Sequence, residues 1–104
     1  MTAALSDSSC ILVVETDELL ASNVSSDLKE SGYEAVIAQD AASGLRQATE
    51  LQPLLVVVDR MLSGESGLWF CTKLRALGAR VPALMLMARD AVEDRVACLE
   101  AGAD

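Results

Sequence analysis

Four short apolar blocks punctuate the chain: CILVV at 10–14, YEAVIA at 33–38, LLVVVD at 54–59 and VPALMLM at 81–87. Unbroken β-branched runs such as the first and third have no polar alternate positions, so they suit strands covered on both faces. Between the blocks the apolar residues switch to helical spacing. Leu20, Val24 and Leu28 recur at four after Asp17, a candidate N-cap, and Gly32 supplies a stop. Leu45, Ala48 and Leu51 recur at three after a second cap, Asp40, and Pro53 ends that helix. Leu68, Cys71 and Leu74 share one face of a third helix over about 67–77, stopped by Gly78. Asp90 and Glu93 form a capping box for a fourth, with Val92, Val96 and Leu99 on its buried side.

Strand and helix alternate four times, which predicts βαβ units and an α/β fold built on a parallel sheet. Crossovers between parallel strands are right-handed, so helices coat both faces and the sheet is doubly wound. In such sheets ligands bind outside the carboxyl ends of the strands, where the strand order reverses. Residues 10–104 are expected to form one domain behind an N-terminal tail, 1–9, since 104 residues leave no room for a second.

Composition narrows the chemistry. With 52% hydrophobic and 23% charged residues the chain has ample apolar surface to bury, which excludes disorder. Aromatics are 3%, so the core is aliphatic and a base-stacking platform is excluded. Histidine is absent, which removes Ser-His and Cys-His nucleophile pairs and most zinc sites. A net charge of −8 opposes binding of nucleic acid through this segment. Cys10, Cys71 and Cys98 are too scattered for a disulfide framework or metal knuckle and read as small buried hydrophobes in a reducing compartment. No apolar run approaches the length of a bilayer span, so a cytoplasmic location without membrane contact is expected.

The remaining chemistry lies in acids at strand ends. Glu15 and Asp17 follow the first strand and Asp59 ends the third. If these strands are neighbours, as in a flavodoxin-like sheet, Glu15 and Asp59 converge at the switch point, whereas Asp17 alone reads as a helix cap. Carboxylates held together repel unless a cation lies between them, and an all-oxygen site of this kind suits Mg²⁺.

The strings ILVVETDELLA, LLVVVDRMLSGESG and PALMLMARDAVEDRVACLEAGAD resemble response-regulator receiver domains, especially the winged-helix (OmpR-type) group, in register over about 10–104. The resemblance implies a flavodoxin-like doubly wound sheet of order 2-1-3-4, without the fifth βα unit usual in that family. It implies a two-component phosphorelay in which Asp59 accepts a phosphoryl group as an acyl phosphate. It implies a weakly bound Mg²⁺ at Glu15, Asp59 and the backbone carbonyl of Met61, with Thr16 at the position of the family's second acid. The implied partners are a sensor histidine kinase and DNA only through a downstream domain; the chain is expected to be a switch and not an enzyme.

Departures from the family pattern are specific. Thr16 is a neutral hydroxyl where the family has an acid, and Met87 stands where a Ser or Thr would bond the phosphoryl group. The family's fifth-strand lysine has no counterpart, because Lys29 and Lys73 fall within predicted helices. Ser63 replaces a common proline in the loop after Asp59. The alternative is therefore a pseudo-receiver, a protein-interaction module that signals without phosphorylation. Other phosphate-handling folds fit less well: TDELLA is too acidic for a flavin-phosphate loop, position 61 lacks the second aspartate of a haloacid-dehalogenase-type phosphatase, and SGESG is not a P-loop. Ending after four βα units would leave the fourth strand as an edge, which predicts a homodimer, a swapped assembly or a fragment of a longer regulator. Trp69 and Phe70, adjacent on one helix, cannot both face the core, so one is expected to be partly exposed.

Overall fold

The computed structural model describes residues 10–62, 64–86, 96, 97 and 99–104. Its strands are β1 (Cys10–Val14), β2 (Glu34–Ala38), β3 (Leu55–Asp59) and β4 (Ala83–Leu86), all parallel in the order β2-β1-β3-β4. Every residue of β1 is buried, as its unbroken apolar run predicts for a central strand covered on both sides. The helices are α1 (Glu18–Glu30), α2 (Ala41–Leu51) and α3 (Gly67–Ala76). Among the described residues no helix is long and apolar enough to cross a membrane.

Each helix starts where a short oxygen-bearing side chain meets an orphan amide. Asp17 Oδ1 accepts from the Leu20 amide at 3.1 Å, Asp40 Oδ1 from the Ser43 amide at 2.7 Å, and Ser66 Oγ from the Trp69 amide at 3.1 Å. The Ser43 bonds hold the Asp40 carboxyl below its ordinary range. Replacing Ser66 by Ala is expected to cost about 1 kcal/mol, read as a lower urea midpoint with an unchanged slope.

Alternation divides the interior in two. Leu12, Val14, Val56, Val58 and Ala83 point to one face and meet Ala41 and Ala48 of α2 and Phe70, Cys71 and Leu74 of α3. The contact is close: a Cβ added at Gly44 of α2 would come within 2.9 Å of both Phe70 and Val14. Ile11, Val13 and Val57 point to the other face and are also buried. There α1 packs against β1 and β2.

Helix phases differ from the sequence reading in instructive ways. The four-residue spacing in α1 is real but its centre lies one residue later, on Ala21 and Ser25; Leu20 is 40% exposed. Small residues let the backbone approach the sheet, and Val24 and Leu28 flank that contact half-buried. Phe70 is fully buried while Trp69 is half-buried, with the Lys73 Nζ 5.8 Å from its ring centroid. Val96 and Leu99, expected on a buried side, are exposed. The inward contacts come from the turn that follows instead: Ala101 packs on the core and Ala103 is buried. Asp90, Val92 and Glu93, the rest of that expectation, lie outside the described residues. Cys10 and Cys71 are buried and not joined by a disulfide; Cys98 lies outside the described residues.

Arg75 ties the last residues to the sheet. Its guanidinium donates to the carbonyls of Gly102 (2.9 Å), Ala79 (3.1 Å) and Val81 (2.7 Å) and pairs with the Asp104 carboxylate at 3.0 Å. Asp104 in turn accepts from the Ala83 amide at 3.0 Å and donates its own amide to the Ala83 carbonyl at 2.8 Å. The first residue of β4 is thus engaged by a side chain on one group and by backbone on the other.

Candidate functional site

Register puts two acids side by side. Val14 pairs with Val58 across β1 and β3, so Glu15 and Asp59 are the next positions along neighbouring strands, at the carboxyl end of the sheet. Glu15 remains in the ladder, its amide donating to the Ala38 carbonyl at 2.9 Å. Its side chain is only 2% exposed; Oε2 accepts from the Asp17 amide at 3.1 Å, whereas Oε1 is buried without a hydrogen-bond partner. Burial, and then the facing Asp59 carboxyl, push the Glu15 carboxyl up from 4.5 to about 7; the Asp17 amide opposes this rise.

Asp59 is half-buried and its Oδ1 accepts from the Met61 amide at 3.0 Å. The loop then turns back sharply. Met61 bridges Ser66, and the Gly67 amide donates to the Arg60 carbonyl at 2.8 Å. Met61 itself is 71% exposed, with Arg60 Nη1 3.8 Å from its sulfur. Gly67 seats the start of α3 directly against the end of β3: a Cβ there would collide with the Asp59 carbonyl oxygen. In the sequence Gly67 marks only the start of a helix. Its position eight residues after the acid was the available signal.

The other residues singled out from the sequence are distributed as follows. Asp17 serves as the α1 cap, its carboxylate committed to Leu20. Thr16 is half-buried beside the acids, and its hydroxyl donates to the Gln39 carbonyl at 3.0 Å. Lys29 lies in the last turn of α1 and Lys73 on α3 over Trp69. Ser63 and Met87 lie outside the described residues.

Among the described residues no group of three or more Cys, Asp or Glu is placed to hold a metal ion. A two-carboxylate arrangement is still suited to a hard cation, since Mg²⁺ takes one or two carboxylates and keeps several waters. The partnerless Glu15 Oε1, buried beside Asp59, is a donor of the right kind. A cleft of about 410 Å³ lined by Ala48, Pro53, Leu77, Arg80 and Val81, among others, lies at the opposite end, where β3 and β4 begin, away from these acids.

The fold and its acidic strand ends have clear counterparts. A putative response regulator from Chloroflexus aurantiacus superposes with a TM-score of 0.86 at 29% identity, covering 93% of this chain and 81% of that one. The model of the response regulator receiver domain family matches residues 11–104, and the chain belongs to that family. Among curated relatives, transcriptional regulatory protein PrrA of Mycobacterium tuberculosis is 43% identical over 94 residues, 90% of this chain and 40% of its own length. Response regulator MprA of Mycolicibacterium vanbaalenii is 40% identical over 94 residues, 90% of this chain and 41% of its own. The chain thus spans about 40% of the length of the curated relatives it matches.

Proposed function

We propose that this receiver domain is the phosphoaccepting switch of a two-component phosphorelay, that Asp59 is its acceptor, and that transfer to it is slow. The reading rests above all on one observation: Asp59 ends β3 beside a buried Glu15 that has an uncommitted oxygen. An Asp59 carboxylate oxygen attacks the phosphorus of the donor, the bond from phosphorus to the leaving group breaks, and an acyl phosphate forms. Such transfers depend mainly on positioning and electrostatic stabilisation. The Met61 amide orients Asp59, and the short loop closed at Gly67 fixes that amide. Glu15, Asp59 and the Met61 carbonyl are the residues to hold Mg²⁺, which when bound neutralises charge on the transferred group. With Thr16 neutral the cation would meet two side-chain charges, so its binding would be weak.

A sensor histidine kinase is the phosphodonor in this reading and the cytoplasm its location. Similarity to a transcriptional regulatory protein supports an output on DNA through a domain downstream of this one. The pseudo-receiver is retained as a second reading because Thr16, at the position of the family's second acid, commits its hydroxyl to a backbone carbonyl.

Incubation with Mg²⁺ and a small-molecule phosphodonor is expected to give a partial phosphate adduct by intact mass, absent in Asp59→Asn. No adduct in the wild type, with recovery in Thr16→Asp combined with Met87→Thr, would favour the pseudo-receiver. Self-association through β4 is also proposed: Leu84 is 50% exposed on this outer strand. Light scattering after size exclusion is expected to give the mass of a dimer; a monomer at high concentration rules it out.

A further inference from the structure

We propose that Thr16 is a positioning residue that clips the loop after β1 to the loop after β2, and not a ligand of the cation. The inference builds on the assignment of Glu15 and Asp59 above but is carried by a different contact. Pairing of β1 with β2 ends in backbone at the Glu15 amide on the Ala38 carbonyl, 2.9 Å. One residue on along both strands, the Thr16 hydroxyl donates to the Gln39 carbonyl at 3.0 Å. A side chain therefore extends the ladder by one rung, after the backbone of β1 has turned away toward the Asp17 cap.

The placement has consequences on both sides. Gln39 is followed directly by Asp40, whose carboxylate receives the Ser43 amide at 2.7 Å and whose carbonyl receives the Gly44 amide at 3.0 Å. The clip thus restrains the start of α2, the helix whose Gly44 packs on Val14. On the other side it fixes the residue between Glu15 and Asp17, two groups already joined by the bond from the Asp17 amide to Glu15 Oε2. Glu15 is held from before by its ladder bond and from behind by the clip. Only a donor can make this contact. A carboxylate at position 16 would set a second acceptor against the Gln39 carbonyl, so the acid of the family pattern and the clip exclude each other.

The test uses the full chain in three forms: wild type, Thr16→Val, which keeps the shape and loses the hydroxyl, and Thr16→Ser, which keeps the hydroxyl. Amide hydrogen exchange over Gln39–Gly44 is expected to quicken roughly fivefold in Thr16→Val, the worth of one hydrogen bond. Thr16→Ser should return it to within about twofold of wild type. Calorimetric titration with MgCl2 should give the same dissociation constant for wild type and Thr16→Val within about twofold. Unchanged exchange in Thr16→Val, or failure of Thr16→Ser to restore it, overturns the clip. A tenfold or greater loss of Mg²⁺ affinity in Thr16→Val overturns the exclusion of Thr16 from the ligand set. Should the wild type bind no Mg²⁺, the metal reading of Glu15 and Asp59 fails, and the exchange data alone decide on Thr16.

Discussion

Gly67→Ala is expected to destabilise the domain by about 3 kcal/mol, the upper end of the range for overpacking. Backbone conformation is not the reason, because Gly67 is not among the positive-φ glycines. Space is. The new methyl would strike the Asp59 carbonyl oxygen and lie 2.8 Å from Met85 Sδ and 3.0 Å from the Arg60 Cα. The sulfur can move aside, but the two backbone atoms belong to the end of β3 and the turn that follows. Nor can Gly67 retreat while its amide is bonded to the Arg60 carbonyl. The strain therefore falls on the residue proposed as phosphoacceptor, and the phosphate adduct should decline along with stability. Gly64→Ala makes the contrast: its φ of 88° is costly for alanine, but nothing lies within 4 Å of the added Cβ. About 1 kcal/mol is expected there. Equal urea midpoints for the two variants would contradict this account.

Stability should also fall from pH 5 to pH 8 by an amount traceable to Glu15. The folded chain holds a proton on Glu15 up to about 7, while the unfolded chain releases it near 4.5. The favourable contribution is therefore whole below pH 4.5, declines as pH rises between the two values, and is lost above 7. At full loss it is about 3 kcal/mol, since each tenfold difference in proton affinity between the folded and unfolded chains corresponds to roughly 1.4 kcal/mol. Glu15→Gln cannot titrate, and its stability should vary less over this range; the difference between the two denaturation series isolates the group. Parallel pH profiles would mean that the carboxyl is not desolvated as its 2% exposure implies.

The strands were legible because unbroken apolar runs are distinctive, and their order followed once the receiver resemblance was recognised. Two helix starts were equally plain, since Asp17 and Asp40 each cap the helix they precede, whereas the Ser66 cap of α3 was not read. Helix phase was not. Periodicity marks a spacing of four, yet which residue of the repeat meets the sheet depends on how closely the backbones approach, and in α1 that favours Ala21 and Ser25 over the larger Leu20. Spacing did not show either that Val96 and Leu99 are exposed while Ala101 and Ala103, in the turn that follows, pack in. At the site, the acids were visible as strand-end residues. What each side chain bonds to was not, because the Thr16 hydroxyl meets a carbonyl 23 positions away and Gly67 is defined by the backbone it allows to approach.

Glu15 and Asp59 are adjacent only by virtue of the β1–β3 ladder, and everything from α1 through α2 lies between them in the chain. During synthesis, then, a nascent chain that has emerged only as far as Leu51 has no acidic pair. The pair forms when β3 closes beside β1, a long-range and comparatively slow event. The pair thus arrives late on the ribosome, in one step with the central pairing of the sheet, and a product released before β3 lacks the proposed phosphoacceptor.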